Sequence, residues 1–239
     1  MKQFEMLATR LSDTAAESVM NRGAEQAALE SHLLALNDRL REIEVGQADR
    51  RNLADTQLQV ARTLVGLGRG AEAWTLGRAA LDTFIARDEF ELAADACDVL
   101  FQSDQTDAIA ALGQGIWLAV TCPIDPELTI ALLSHVIDET PDDADGAAVA
   151  ATTALFLADV RAKGRHRDDL MFFATQLLGT VARRHSGVES PEQLDLWMER
   201  LELKEPEKFL VRLRNVVDVL VQDNWWFDRE ALQDRLPFA

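Results

Sequence analysis

Apolar residues in this 239-residue chain recur every three or four positions, in blocks long enough for helices, and no block alternates with the period of two that a half-buried strand requires. Each block ends at glycine, proline or an aspartate-rich turn. A helix with one apolar stripe must bury that stripe against a neighbour, and brief turns force the neighbour to be the next helix in the chain. The pattern therefore predicts an all-α protein built from antiparallel helical hairpins.

The blocks read as follows. The first runs over about Gln3 to Met20, with Phe4, Leu7, Leu11 and Ala15 on one face, and Asn21-Arg22-Gly23 is expected to end it. The second covers about Ala24 to Val45, where Leu29, Leu33, Leu36, Leu40 and Ile43 have the alternating spacing of a short coiled-coil seam. That seam suits either an intramolecular hairpin or a homodimer. Further helices are expected near 49–67, 71–86, 90–101, 107–120, 126–139, 146–163, 168–185, 191–202, 206–222 and 228–235. Pro126, Pro191 and Pro206 mark helix starts, because proline costs nothing at a first-turn position whose N–H has no intrahelical acceptor. Residues 1–47 are read as an N-terminal helical hairpin, and 48–239 as a helical-repeat domain with a C-terminal aromatic segment.

In the stretch VARTLVGLGRGAEAWTLGRAAL, Ala61, Leu64, Gly68, Ala73 and Ala80 stand at spacings that resemble the tetratricopeptide repeat. About 35 residues on, Ala96, Val99, Ser103, Ala108, Leu112 and Gly115 repeat the spacing with weaker agreement. Gln57 and Gly77 depart from it, where the family prefers tryptophan and a large aromatic. The resemblance implies an α-solenoid of hairpins and, with it, a protein- or peptide-binding role.

Charge narrows the partner. The net charge is −17. Between Asp88 and Val160 there are fifteen carboxylates and no lysine or arginine, whereas both flanks are nearly balanced. Such a field repels phosphate backbones and anionic lipid, which disfavours nucleic-acid and membrane-surface binding and favours a partner with a basic surface. With no signal-peptide-like start and no long uninterrupted apolar run, a cytoplasmic location is expected.

Little points to catalysis. Cys97 and Cys122 lie apart from any metal-ligand spacing and read as buried thiols. His32, His135, His166 and His185 form no ligand pair, and the Gly66-Leu67-Gly68-Arg69-Gly70 run joins two helices instead of following a strand, so it is no phosphate loop. Pro141-Asp142-Asp143-Ala144-Asp145-Gly146 matches part of a calcium loop, but Pro141 and Thr152 stand where its first and bidentate carboxylates would be. No cofactor and no metal is expected. The recognition candidates are the acidic residues Asp95, Asp98, Asp142 and Asp143, the basic Arg183 and Arg184, and the aromatic triplet Trp225, Trp226 and Phe227. Three successive rings on a helix could not share one face, so one of them is expected at the surface as an interface anchor; the alternative is a C-terminal plug that closes the end of the solenoid. The reading is a binding scaffold, an assembly, maturation or regulatory factor. The alternatives are a helical enzyme using carboxylates with His135, and a homo-oligomeric structural protein.

Overall fold

The computed structural model describes residues 2–46 and 49–236, with side chains from Gly23 onward. Its elements are α1 (Lys2–Val45), α2 (Arg50–Gly66), α3 (Gly70–Ala86), α4 (Phe90–Gln102), α5 (Ala108–Thr121), α6 (Pro126–Glu139), α7 (Asp145–Arg161), α8 (Gly164–Ser186), α9 (Pro191–Arg200), α10 (Pro206–Val221) and α11 (Arg229–Gln233). No strand occurs among the described residues. None of their helices is long and apolar enough to cross a membrane.

Local chemistry explains the boundaries. Asp49, Asp125, Ser190 and Asp228 cap α2, α6, α9 and α11 by accepting N–H groups of the first turn, and proline follows the cap at α6 and α9. The far ends of α2, α3 and α9 close by a left-handed residue, Gly68, Asp88 and Glu202 respectively. The following N–H then bonds back over the turn, Arg69 to the Leu64 carbonyl at 2.9 Å, Glu89 to Phe84 at 3.0 Å and Leu203 to Met198 at 2.8 Å.

One boundary differs from the sequence reading. The residues expected to form a hairpin before position 48 form a single helix, α1, that passes through Asn21-Arg22-Gly23 without a break. A lone glycine costs a helix only about 1 kcal/mol relative to alanine, and nothing lies within 4 Å of where a Gly23 Cβ would stand, so no tertiary contact forces a bend. Part of the seam packs inside the chain. Leu33 and Leu36 are 6% and 5% exposed, α1 packs on α2, and Leu29 lies over Gly66.

Consecutive helices from α1 to α8 pack side by side, and α2, α4, α6 and α8 also touch in series. Alanines make this close approach possible. Ala54, Ala61, Ala73, Ala80, Ala93 and Ala96 are all wholly buried. At two crossings even alanine would be crowded: a Cβ on Gly77 would stand 3.0 Å from Leu100, and one on Gly115 would stand 2.9 Å from the Cys97 Cβ. The other side of the stack is covered by α10, which returns across α5 and α7. Its buried residues Phe209, Leu213, Val217 and Val221 recur every four positions, one stripe of a helix laid into a groove.

Candidate functional site

On α4, residues three and four apart share a face: Glu91, Asp95 and Gln102 reach the surface along it, and Asp98 is buried within the same stripe. The corresponding stripe of α6 is Glu127, Ala131, Ser134 and Asp138, and that of α2 is Asp55, Gln59 and Arg62. The three stripes lie side by side because their helices touch, and side chains tie them together. Arg62 of α2 pairs with Asp95 of α4, Arg51 of α2 with Glu89 at 3.2 Å, and the Glu91 carboxylate accepts the Asp125 N–H at the start of α6 at 3.2 Å.

The deepest polar group on this face is Asp98, only 7% exposed. Its two carboxylate oxygens accept from Gln102 Nε2 at 2.6 Å and from His135 Nε2 at 2.9 Å. The latter bond sets the orientation of the His135 ring on the face. The imidazole also packs on Phe101, ring centroids 4.7 Å apart. At the end of the face, Asp125, Glu127 and His166 bring three exposed donor atoms within 4.8 Å of one another. One of these groups is already engaged, since Asp125 caps α6 through the Glu127 N–H at 2.7 Å. The trio marks the meeting of two helix starts and by itself assigns no metal.

The sequence-derived candidates fall in separate places. Asp95 and Asp98 sit on the α2–α4–α6 face. Asp142 and Asp143 are in the exposed turn before α7, and Arg183 is exposed on α8, where it donates to the Thr180 hydroxyl at 3.0 Å. Arg184 is turned to structure: it donates to the Ile137 carbonyl in the last turn of α6 at 2.7 Å and lies 3.8 Å from Asp142. Arg161 does the same for α5, donating to the carbonyls of Ala119 and Val120, and burial pulls its guanidinium below the usual arginine range. A cation on the last carbonyls of a helix satisfies orphan acceptors and opposes the helix dipole.

The aromatic triplet departs from the expectation of one exposed ring. Trp225, Trp226 and Phe227 are all half-buried, because the segment after α10 is not helical. Trp225 and Phe227, two apart, turn to one side and meet Trp117 of α5 at 6.2 and 5.6 Å. Trp226 turns to the other side, meeting Trp74 of α3 edge-on at 5.8 Å beneath the Arg78 guanidinium at 4.0 Å. The large exposed aromatics are elsewhere, at Phe172 (69%) and Phe173 (52%) on α8, a pair that the sequence reading did not single out. Their position on the helix face opposite Leu170, Ala174 and Leu178 was available from spacing alone.

No protein-family model, no curated protein and no solved structure matches this chain.

Proposed function

We propose that this chain is a scaffold of tetratricopeptide-like hairpins, an α-solenoid, that binds a cationic segment of another protein across the α2–α4–α6 face. The observation that carries the reading is the makeup of that face. Glu91, Gln102, Glu127 and Asp138 stand exposed on α4 and α6, helices that contain no lysine or arginine, while the arginines that reach across from α2, Arg62 and Arg51, are paired with Asp95 and Glu89. A row of uncompensated carboxylates on rigid, touching helices attracts a basic chain at long range and offers it acceptors at contact.

The test is fluorescence anisotropy with a labelled peptide of alternating lysine, arginine and leucine, against an acidic peptide of equal length. The basic peptide is expected to bind, and to weaken as salt shortens the screening length from about 10 Å at 0.1 M to about 3 Å at 1 M. Replacing Glu91 and Glu127 by Gln and Asp138 by Asn together is expected to weaken it further. Salt-independent binding, or unchanged binding by the triple variant, overturns the assignment.

The catalytic alternative has one observation behind it, the Asp98–His135 pair, in which a buried carboxylate orients an imidazole as in general-base sites. Gln102 takes the second Asp98 oxygen and Phe101 covers the ring, an arrangement that equally locks α4 to α6. His135→Gln tests the two: loss of stability without loss of any measured turnover supports the lock.

A further inference from the structure

Helix α8 turns Leu170, Ala174, Leu178, Val181 and Ala182 inward, where it packs chiefly on α7. Its opposite face carries Asp169, Phe172, Phe173, Gln176, Thr180 and Arg183, all exposed, together with the half-buried Gly179. Single exposed apolar residues are ordinary, but two adjacent rings form a patch. Gly179 lies two turns beyond Phe172. Apart from the backbone of its own helix, a Cβ at Gly179 would meet only the Arg183 Nη1, at 3.6 Å, so packing within the chain does not call for a glycine there. Glycine nevertheless weakens a helix interior. What it provides is a notch on the outward face.

This face is arranged symmetrically about Gln176. Phe173 stands three residues before it and Gly179 three after, Phe172 four before and Thr180 four after, Asp169 seven before and Arg183 seven after. When two antiparallel helices are related by a twofold axis, residues equally far from the axis on either side face each other. An axis at Gln176 therefore sets each ring against a small residue, Phe173 over Gly179 of the partner subunit and Phe172 over Thr180 of the partner subunit. It also matches Asp169 with Arg183 of the partner subunit, twice over. Helices pack at about 8–10 Å, a separation at which a ring fits only opposite a small residue.

We propose that a second copy of this chain docks here, α8 against α8 in antiparallel, as a twofold dimer. Charge favours a copy at this face. α8 holds four arginines and two aspartates in a chain of net charge −17, so two copies that repel each other elsewhere approach along it. No like charges are set opposite: Asp168 comes against Arg184 of the partner subunit, and Arg165 against Gly187 of the partner subunit. Within the chain Asp169 lies 4.0 Å from Arg165, at the limit of an ion pair, and Arg183 donates to the Thr180 hydroxyl, so both remain available across the axis. One helix face is small beside the roughly 800 Å² per partner of a standard interface, so the dimer is weak, with a Kd on the order of 10 μM. The residues lie outside the α2–α4–α6 face, and the outcome is independent of peptide binding there.

Sedimentation velocity of the full chain from about 1 to 500 μM, a range that brackets such a constant, is expected to pass from monomer to dimer. Phe172→Ser combined with Phe173→Ser should weaken the dimer about tenfold or more while the unfolding midpoint stays at the wild-type value, both rings being exposed. Gly179→Leu fills the notch and should weaken the dimer without destabilising the monomer. Asp169→Arg and Arg183→Asp each set like charges across the axis and should leave monomers, whereas the two exchanges together restore opposite pairs and, with them, the dimer. Far-ultraviolet spectra check that every variant is folded. A chain that sediments as a monomer throughout overturns the second copy as occupant of this face. A dimer indifferent to the ring variants, or a folded double exchange that fails to associate, overturns the antiparallel α8 pairing.

Discussion

The Gln114 side-chain oxygen accepts the backbone N–H of Trp226 at 2.8 Å, a bond spanning 112 residues of sequence. The same amide is wholly buried in α5, and its nitrogen donates to the carbonyls of Asn224 and Ala110 at 3.4 and 3.3 Å. One side chain thus serves the backbone of the aromatic segment as both acceptor and donor, which is how a stretch without helical hydrogen bonds is held against a helical body. The segment in turn sets Trp225 and Phe227 against Trp117 of α5.

Gln114→Leu keeps the volume but removes both functions and leaves the Trp226 N–H without an acceptor. A destabilisation of about 1–3 kcal/mol is expected in denaturant unfolding. The tryptophan emission should also shift to the red before global unfolding, as Trp226 leaves Trp74. A variant with wild-type midpoint and unchanged emission would show that the bond does not hold the segment.

Gly113, the neighbour of Gln114, marks the crossing of α5 and α10. An added Cβ would stand 2.6 Å from Val221 Cγ2, 3.0 Å from Leu220 Cβ and 3.4 Å from the Val217 carbonyl oxygen. Gly113→Ala should therefore cost about 1–3 kcal/mol through overpacking, although alanine is the better helix former. Gly23→Ala gives the opposite sign, since nothing stands within 4 Å of that position in α1: a gain of up to about 1 kcal/mol is expected. Thermal unfolding of the two variants side by side checks both, and equal signs would refute the crossing.

These two glycines also show what could be read from the sequence. Helix starts at Pro126, Pro191 and Pro206 were legible because proline, with a capping side chain before it at the first two, acts within a few residues, and the end at Gly68 was legible because a left-handed turn has a local residue preference. Gly23 was misread because the same residue type is permissive, and only tertiary packing decides whether a helix stops there. Gly113 was silent for the complementary reason: its partner, Val221, is more than a hundred residues away. Of the candidate site, the acidity of α4 and α6 was legible by counting. That Asp98 would be buried against His135 while Glu91 and Asp138 stayed exposed depends on how helices rotate against each other, which single-residue spacing does not contain.

The aromatic triplet supplies a third prediction. With Trp225 against Trp117 and Trp226 against Trp74, neither ring is a free surface group, so Trp225→Ala and Trp226→Ala should both destabilise, each by about 2–4 kcal/mol, toward the lower end of what buried aromatics lose. A variant of either that unfolds at the wild-type denaturant concentration would return that ring to the surface.

The thiols give a prediction in pH. Burial pushes Cys122 up from the ordinary value of 9.0 to about 11, against a partial opposing pull from the Arg161 guanidinium. Burial pushes Cys97 higher still, with Asp98 adding to the effect and Arg78 opposing it. A thiol that stays protonated in the fold but ionises in the unfolded chain makes the unfolded state bind fewer protons at alkaline pH. Stability must then fall as pH rises. For Cys122 the window runs from 9.0 to about 11, and each unit of displacement is worth about 1.4 kcal/mol. Below that window both states keep their protons and the thiols contribute no slope. Unfolding midpoints measured from neutral pH upward should be level with respect to these groups and then decline, and the decline should shrink in Cys122→Ala once its own lost packing is subtracted. An aromatic disulfide reagent should likewise fail to label either cysteine in the folded protein at neutral pH, since the thiolate is the reactive form, and label both in denaturant. Rapid labelling of the folded chain at neutral pH would mean that these cysteines are neither buried nor protonated as the fold requires.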